Sequence, residues 1–178
     1  TPDASARAAS FSDGAARHCV VGGVHPSDDS ASRHQKAEEV FGRIKEALAP
    51  CSAGFENVVR TWFYLDDILA WYRDCNHAPE RFFRRQSLYD GLLPASTGIG
   101  MCHAAGTALA AEAVSVEPAG DVDVGAVSSP KQRSPMEYGS SFSRTVQVAV
   151  PDHRRLYVSG TASIDRDCRT AAEGDLPA

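Results

Sequence analysis

Arg60-Thr61-Trp62-Phe63-Tyr64-Leu65-Asp66-Asp67-Ile68 joins two kinds of local order in one short stretch. The run 57–65 (Asn-Val-Val-Arg-Thr-Trp-Phe-Tyr-Leu) is rich in β-branched and aromatic side chains, which suit a pleated surface, and it predicts a central strand. Asp66 and Asp67 then supply carboxylates for the free N–H groups at the start of a helix. That helix would bury Ile68, Trp71, Tyr72, Cys75, Phe82 and Phe83, with Pro79 kinking or dividing it. Arg81, Arg84 and Arg85 would form its solvated side.

Upstream, 17–24 (Arg-His-Cys-Val-Val-Gly-Gly-Val) reads as a short buried strand ending in glycine. The loop Ser27-Asp28-Asp29-Ser30 offers helix caps. Over 33–48, Ala37, Val40, Phe41, Ile44 and Leu48 recur at helical spacing, and Pro50 and Gly54 close that helix. Residues 1–9, rich in Ala, Ser and Asp, read as a loose terminus.

Downstream, Leu92–Gly100 leads into a strand, and 107–116 returns as another after the Gly106 turn. Alternation sets Leu109, Ala111, Ala113 and Ser115 on one face and Ala110, Glu112, Val114 and Val116 on the other. The Pro-, Gly- and Ser-rich stretch 119–137 reads as a linker. Strands then return at 141–150 and 156–164, with Pro151–Arg155 as the turn between them.

These two strands resemble the beginning of the chain. Val21-Gly22-Gly23 matches Val158-Ser159-Gly160 at an offset of 137 residues, and Phe11-Ser12 precedes the first as Phe142-Ser143 precedes the second. The expected division is therefore a first unit over 10–118, the linker 119–137, and the first strands of a second, truncated unit over 138–178. A lone hairpin is marginal in water and leaves a sticky edge. It must dock on the first unit, be covered by another chain, or belong to a longer protein of which this is a fragment. The last is the preferred expectation.

Composition excludes some classes. Hydrophobic residues make up 43% and charged ones 23%, which is ordinary for a globular chain, and the net charge of −5 argues against a nucleic-acid partner. No apolar run approaches the roughly eighteen residues of a membrane span, and no leader is expected. Cysteines at 19, 51, 75, 102 and 168, without a Cys-x-x-Cys pair, read as reduced thiols of a cytoplasmic protein. Cys19 with His18 and His25 fits no zinc spacing.

Three stretches carry a family resemblance: Arg60–Ile68 running through Cys75-Asn76 to Arg81-Phe82-Phe83, Leu93-Pro94-Ala95-Ser96-Thr97 with the strand after it, and Tyr157-Val158-Ser159-Gly160. Together they resemble the RidA/YjgF family, also called endoribonuclease L-PSP. Ser129-Pro130-Lys131-Gln132, Tyr138–Arg144 and Leu156–Ser163 are similar to its tandem branch, which contains the chorismatases. The resemblance implies an α+β fold, with a barrel-forming mixed sheet of the chorismate mutase-like kind and two helices on one face. It also implies homotrimers with ligand clefts between barrels, and no metal or organic cofactor.

The departures from the family bear on chemistry. The deaminases of the family hold a carboxylate with an arginine where Ser96 stands, and serine has no guanidinium fork. Of their Glu-x-Glu-Ala pattern, Ala110 replaces the first glutamate and Glu112 remains; Gly22 replaces a serine. The first copy is therefore expected to be inactive in imine chemistry. Glu112 is its weak catalytic candidate and reads better as half of a structural ion pair. In the second copy, Arg144 would orient a substrate carboxylate, with Tyr138, Phe142, Ser159 and Gly160, and also Gln132, around it. The plain alternative for Arg144 is a surface arginine paired with an acid. The copy's own arginine and glutamate would lie beyond residue 178.

The expected function is a chorismatase-like hydrolase or lyase acting on a small carboxylated cyclic substrate such as chorismate. The alternatives are an enamine/imine deaminase and a non-catalytic trimeric binding or scaffold module. The expected partners are a small carboxylate ligand and two further copies of the chain, with neither nucleic acid nor membrane.

Overall fold

The computed structural model describes residues 6–103, 106–161, 164–167 and 169–171. Two strands, β1 (Arg7–Ser12) and β2 (Ala16–Val24), form a hairpin. Helix α1 (Arg33–Leu48), strand β3 (Val58–Leu65), helix α2 (Ile68–Arg85) and strands β4 (Ala95–Gly100) and β5 (Leu109–Pro118) follow. The five strands make one mixed sheet in the order β1-β2-β5-β3-β4, parallel only between β3 and β4. The α+β class is as expected.

Each helix starts where a side chain can satisfy its free N–H groups. At α1 that residue is Ser32, outside the expected loop 27–30: its Oγ accepts from the Gln35 N–H at 3.3 Å, and Gln35 Oε1 accepts from the Ser32 N–H at 3.0 Å. At α2, Asp67 accepts from the Ala70 N–H, and Asp66 accepts from the Trp71 indole at 2.7 Å. One face of the sheet and the inner faces of both helices share a core around Val40, Phe41, Ile44, Trp71 and Phe83. α2 runs unbroken through Pro79, against the expected division. Ile68, expected in its buried stripe, is exposed because it sits at the helix start, clear of the core; the side chains of Tyr72 and Cys75 lie outside the described set.

The rest of the chain builds a second sheet, β6 (Asp123–Val127), β7 (Thr145–Ala149) and β8 (Arg154–Val158), in the order β6-β7-β8. Two expectations are corrected here. The stretch read as a linker holds β6 and a 3-10 turn at Pro135–Tyr138, because Val122 and Val124 pack inward while β7 supplies the pairing. The expected loose terminus, 1–9, runs at residue 7 into β1, which is paired along its whole length with β2. The two strands expected at 141–150 and 156–164 are shorter, and Arg154 and Arg155 belong to β8 rather than to the turn; residues 162–163 lie outside the described set.

The second sheet docks on the face of the first that the helices leave open. Val146 and Val148 are buried there against Ala16, Val59, Ala95 and Val116. Each buried valine is worth roughly 1.5–3 kcal/mol relative to exposure. Of the three expected ways to cover the second hairpin, docking on the first unit is the one seen. The hairpin also repeats the first in register. Ala8 pairs with Val21 and Ser12 with Arg17; at the offset of 137, Thr145 pairs with Val158 and Ala149 with Arg154. The supposed match of Phe11 to Phe142 does not hold, since Phe11 lies inside β1 and Phe142 lies before β7.

Candidate functional site

The second sheet is joined to β4 through small side chains. The Ser143 N–H donates to the Pro94 carbonyl at 2.9 Å. Ser159 Oγ accepts from the Ser96 N–H at 3.2 Å and donates to the Ser143 carbonyl at 2.5 Å. The Gly160 N–H donates to Thr97 Oγ1 at 2.7 Å, and a Cβ on Gly160 would come within 2.4 Å of Thr97 Cγ2, so glycine is required by close approach. Ser159 and Gly160, expected to touch a ligand, thus have these polar groups engaged with the protein.

This joint places the next residues along the chain. Arg144, just before β7, is only 8% exposed. Its Nη2 donates to the Tyr138 hydroxyl at 2.8 Å, its Nη1 to Thr161 Oγ1 at 3.3 Å, and its Nε to the Arg133 carbonyl at 3.4 Å. The guanidinium carbon lies 5.6 Å from the Tyr138 ring centre and 5.8 Å from that of Phe142, within cation–π range. Among the described residues no carboxylate pairs with it, so the reading of Arg144 as a surface arginine paired with an acid does not hold. A guanidinium has five N–H donors, and the three bonds above go to neutral oxygens. The arrangement is a fixed, buried cation with donor capacity left over.

Arg144 and Phe142 lie on the wall of a cavity of about 980 Å³. Its other walls come from the loop after α2 (Tyr89, Leu92, Leu93), from β6 and the segment after it, and from Arg166 and Asp167. Gln132 also lies on it and donates to the Ile164 carbonyl at 3.1 Å. A smaller cavity of about 210 Å³ lies between α2 and the sheet, lined by Phe41, Phe63, Phe83, Ser96, Asn76 and Ser141; Phe142 and Gly160 reach it too. Phe142 therefore stands between the two cavities. Ser96 accepts from the Thr61 hydroxyl at 2.9 Å and offers no positive charge.

Glu112 is elsewhere. It shares a sheet face with Ala110, accepts from the Tyr64 hydroxyl at 3.0 Å, and lines neither cavity. Burial first, and then Glu112, push the Tyr64 hydroxyl above its ordinary value. Among the described residues its bond is to a neutral phenol rather than to a cation, so the expected structural ion pair is replaced by a hydrogen bond. No described group of His, Cys, Asp and Glu could hold a metal ion.

The sequence reading missed Thr161 and the Arg133 carbonyl. Thr161 stands two residues past Ser159, where strand alternation could have pointed to it, whereas a backbone carbonyl leaves no mark in the sequence. It also passed over Arg60, whose buried guanidinium stacks on Trp62 at 4.6 Å and donates to Thr97 Oγ1, with Nη1 unpartnered among the described residues. Burial lowers its pKa.

No family model matches the sequence, and none of the curated proteins does. Solved structures do match. The YjgF gene product of E. coli is 17% identical over 60% of this chain and 84% of its own length, with a TM-score of 0.50. A putative translation initiation inhibitor from Vibrio vulnificus CMCP6 is 16% identical over 65% of this chain and 96% of its own, with a TM-score of 0.51. At such identities the likeness shows the fold, and the fold is of the YjgF kind. No helix among the described residues is long and apolar enough to cross a membrane.

Proposed function

We propose that this YjgF-type chain binds a small cyclic carboxylate in the larger cavity, with Arg144 as the anion anchor, as in a chorismatase-like hydrolase or lyase. The observation that carries this is a buried arginine with no acid partner among the described residues, on the wall of a cavity large enough for such a ligand. Tyr138, Thr161 and the Arg133 carbonyl hold the fork, so its free N–H groups face the ligand already oriented. Phe142 supplies an apolar surface for the ring. Ser159 and Gly160 act one step back, by fixing β8 against β4.

Hydrolysis of an enol ether would also need a carboxylic acid to protonate the substrate, with a pKa near the working pH. The described acids on the cavity wall, Glu137 and Asp167, are exposed, and Glu112 lies outside it. This favours, as a second reading, binding without turnover, and it leaves the acid to a further part of a longer protein or to a neighbouring copy in a trimer. Ser96 in place of a clamp counts against the deaminase reading.

Calorimetric titration of the protein, as its cell makes it, with chorismate tests the proposal. Arg144→Gln should weaken binding roughly 10- to 100-fold, the worth of charge-assisted hydrogen bonds. Tyr138→Phe, which keeps the ring and loosens the fork, should weaken it roughly 3- to 10-fold. No binding by the wild type, or equal binding by the Arg144 variant, sinks the proposal. Consumption of bound chorismate would separate the enzyme from the binding module.

A further inference from the structure

Arg144 shares the larger cavity with two further cations. Arg133 and Arg166 also line it, against two acids, Glu137 and Asp167, in a chain whose net charge is −5. Arg133 Nε lies 3.6 Å from Glu137 Oε2, so those two charges offset each other. Arg166 belongs to none of the arginine ion pairs of the described residues. The turn that carries it is closed by its own contacts. Ile164 bridges to Thr170, and the Asp165 N–H donates to the Arg169 carbonyl at 2.9 Å. Asp165 Oδ1 accepts from the Asp167 and Arg169 N–H groups at 2.8 and 2.9 Å. One short stretch of backbone then holds this turn and Arg144 together. Gln132 Nε2 donates to the Ile164 carbonyl at 3.1 Å, and the carbonyl of the next residue, Arg133, accepts from Arg144 Nε at 3.4 Å.

We infer that the cavity selects dianions, with Arg166 as a second anchor that takes the other carboxylate of a ring bearing two. This inference rests on the reading of Arg144 as the first anchor. A ligand with one carboxylate satisfies Arg144 and leaves the Arg166 guanidinium to water. A second carboxylate on the same ring gains a charge-assisted pair with Arg166, whose turn is already in place. Arg166 is exposed, so solvent screens this pair more than it screens the buried Arg144, and the second anchor adds selectivity rather than most of the affinity. Asp167, next in the chain and on the same wall, opposes the second negative charge and trims the preference. Gln132 is a positioning residue: it touches the turn through the Ile164 carbonyl and sets where Arg166 stands.

The test compares two probes of one shape and different charge by calorimetric titration of the full chain: isophthalate, with two carboxylates, and 3-carbamoylbenzoate, in which an amide replaces one of them. The wild type should bind isophthalate roughly 3- to 10-fold more tightly, and the preference should shrink as salt is raised. Arg166→Gln, a change at an exposed position, should abolish the preference and leave the affinity for 3-carbamoylbenzoate as it was. Gln132→Ala should reduce the preference with Arg166 still present, and Asp167→Asn should widen it. Arg144→Gln should weaken both probes together. Equal binding of the two probes by the wild type, or a preference that survives Arg166→Gln, overturns the inference and leaves Arg144 standing as a single anchor. Binding of neither probe ends both readings.

Discussion

The hairpins β1–β2 and β7–β8 share a register but turn opposite faces to the interior. In the first, Cys19 and Val21 are buried beneath the helices while Val20 between them is 46% exposed. In the second, the equivalents Leu156 and Val158 are 55% and 58% exposed, and Tyr157, the equivalent of Val20, packs against the first sheet. The local patterns are alike, so the difference comes from what each hairpin meets. β2 is paired by β5 and roofed by α1, whereas β8 has one paired edge and docks by the face its counterpart leaves open. Burial in a strand is decided by its neighbours, and the alternation only says that two faces exist.

The largest expected effect tests that inversion directly. Val146→Asp puts a charge into the junction between the sheets, and its repeat equivalent, Ala9→Asp, puts one on exposed β1. The first should cost about 3 kcal/mol or more in urea unfolding, and the second under about 0.5 kcal/mol. Equal effects would mean that the second sheet does not rest on the first.

A smaller effect probes the joint. Gly160→Ala collides with Thr97 Cγ2, whereas a Cβ on Gly22, the first-hairpin equivalent of the neighbouring Ser159, meets nothing within 4 Å. The expected costs are about 1–3 kcal/mol at Gly160 and near zero at Gly22. Thr97→Ser removes the colliding methyl and keeps the hydroxyl that accepts from the Gly160 N–H, so the double variant should recover most of the loss. Failure of that rescue would place the strain elsewhere than the β4–β8 contact.

The same contrast explains what could be read in advance. α1 was legible to the residue at both ends because Val40, Phe41, Ile44 and Leu48 keep helical spacing over several turns. β3 was legible from its β-branched and aromatic run. β6 was not: its residues are small and exposed except where β7 pairs with them, and Pro and Gly on either side suit a loop equally well. The docking face of β8 was hidden because Leu156, Tyr157 and Val158 are all apolar, so neither parity stands out. At the site, Tyr138, Phe142 and Arg144 were indicated by resemblance, and the structure brings them together. Ser159 and Gly160 were chosen with them, but their contacts with Ser96 and Thr97 join residues 63 positions apart, which no local pattern reports.

The smallest effect concerns the turns of the two hairpins. Asp13 accepts from the Ala15 and Ala16 N–H groups and meets His18 Nε2 at 2.8 Å. The Ala16 N–H, followed by His18, holds its carboxyl down at about 2 against an ordinary 3.8. Asp152, in the turn between β7 and β8, is also lowered, first by His153. A lowered carboxyl binds fewer protons in the folded chain than in the unfolded one, so its contribution is present above about 3.8 and is lost as the pH falls towards about 2. Stability measured by urea unfolding between those pH values should therefore fall less steeply in Asp13→Asn than in the wild type. The hairpin that lies within the main sheet should show more of this acid dependence than the docked one, so Asp152→Asn should flatten the profile less. If Asp152→Asn proved the stronger, the exposed pair with His153 would be holding its turn more firmly than the backbone-anchored Asp13 does, and the order inferred for the two hairpins would be reversed.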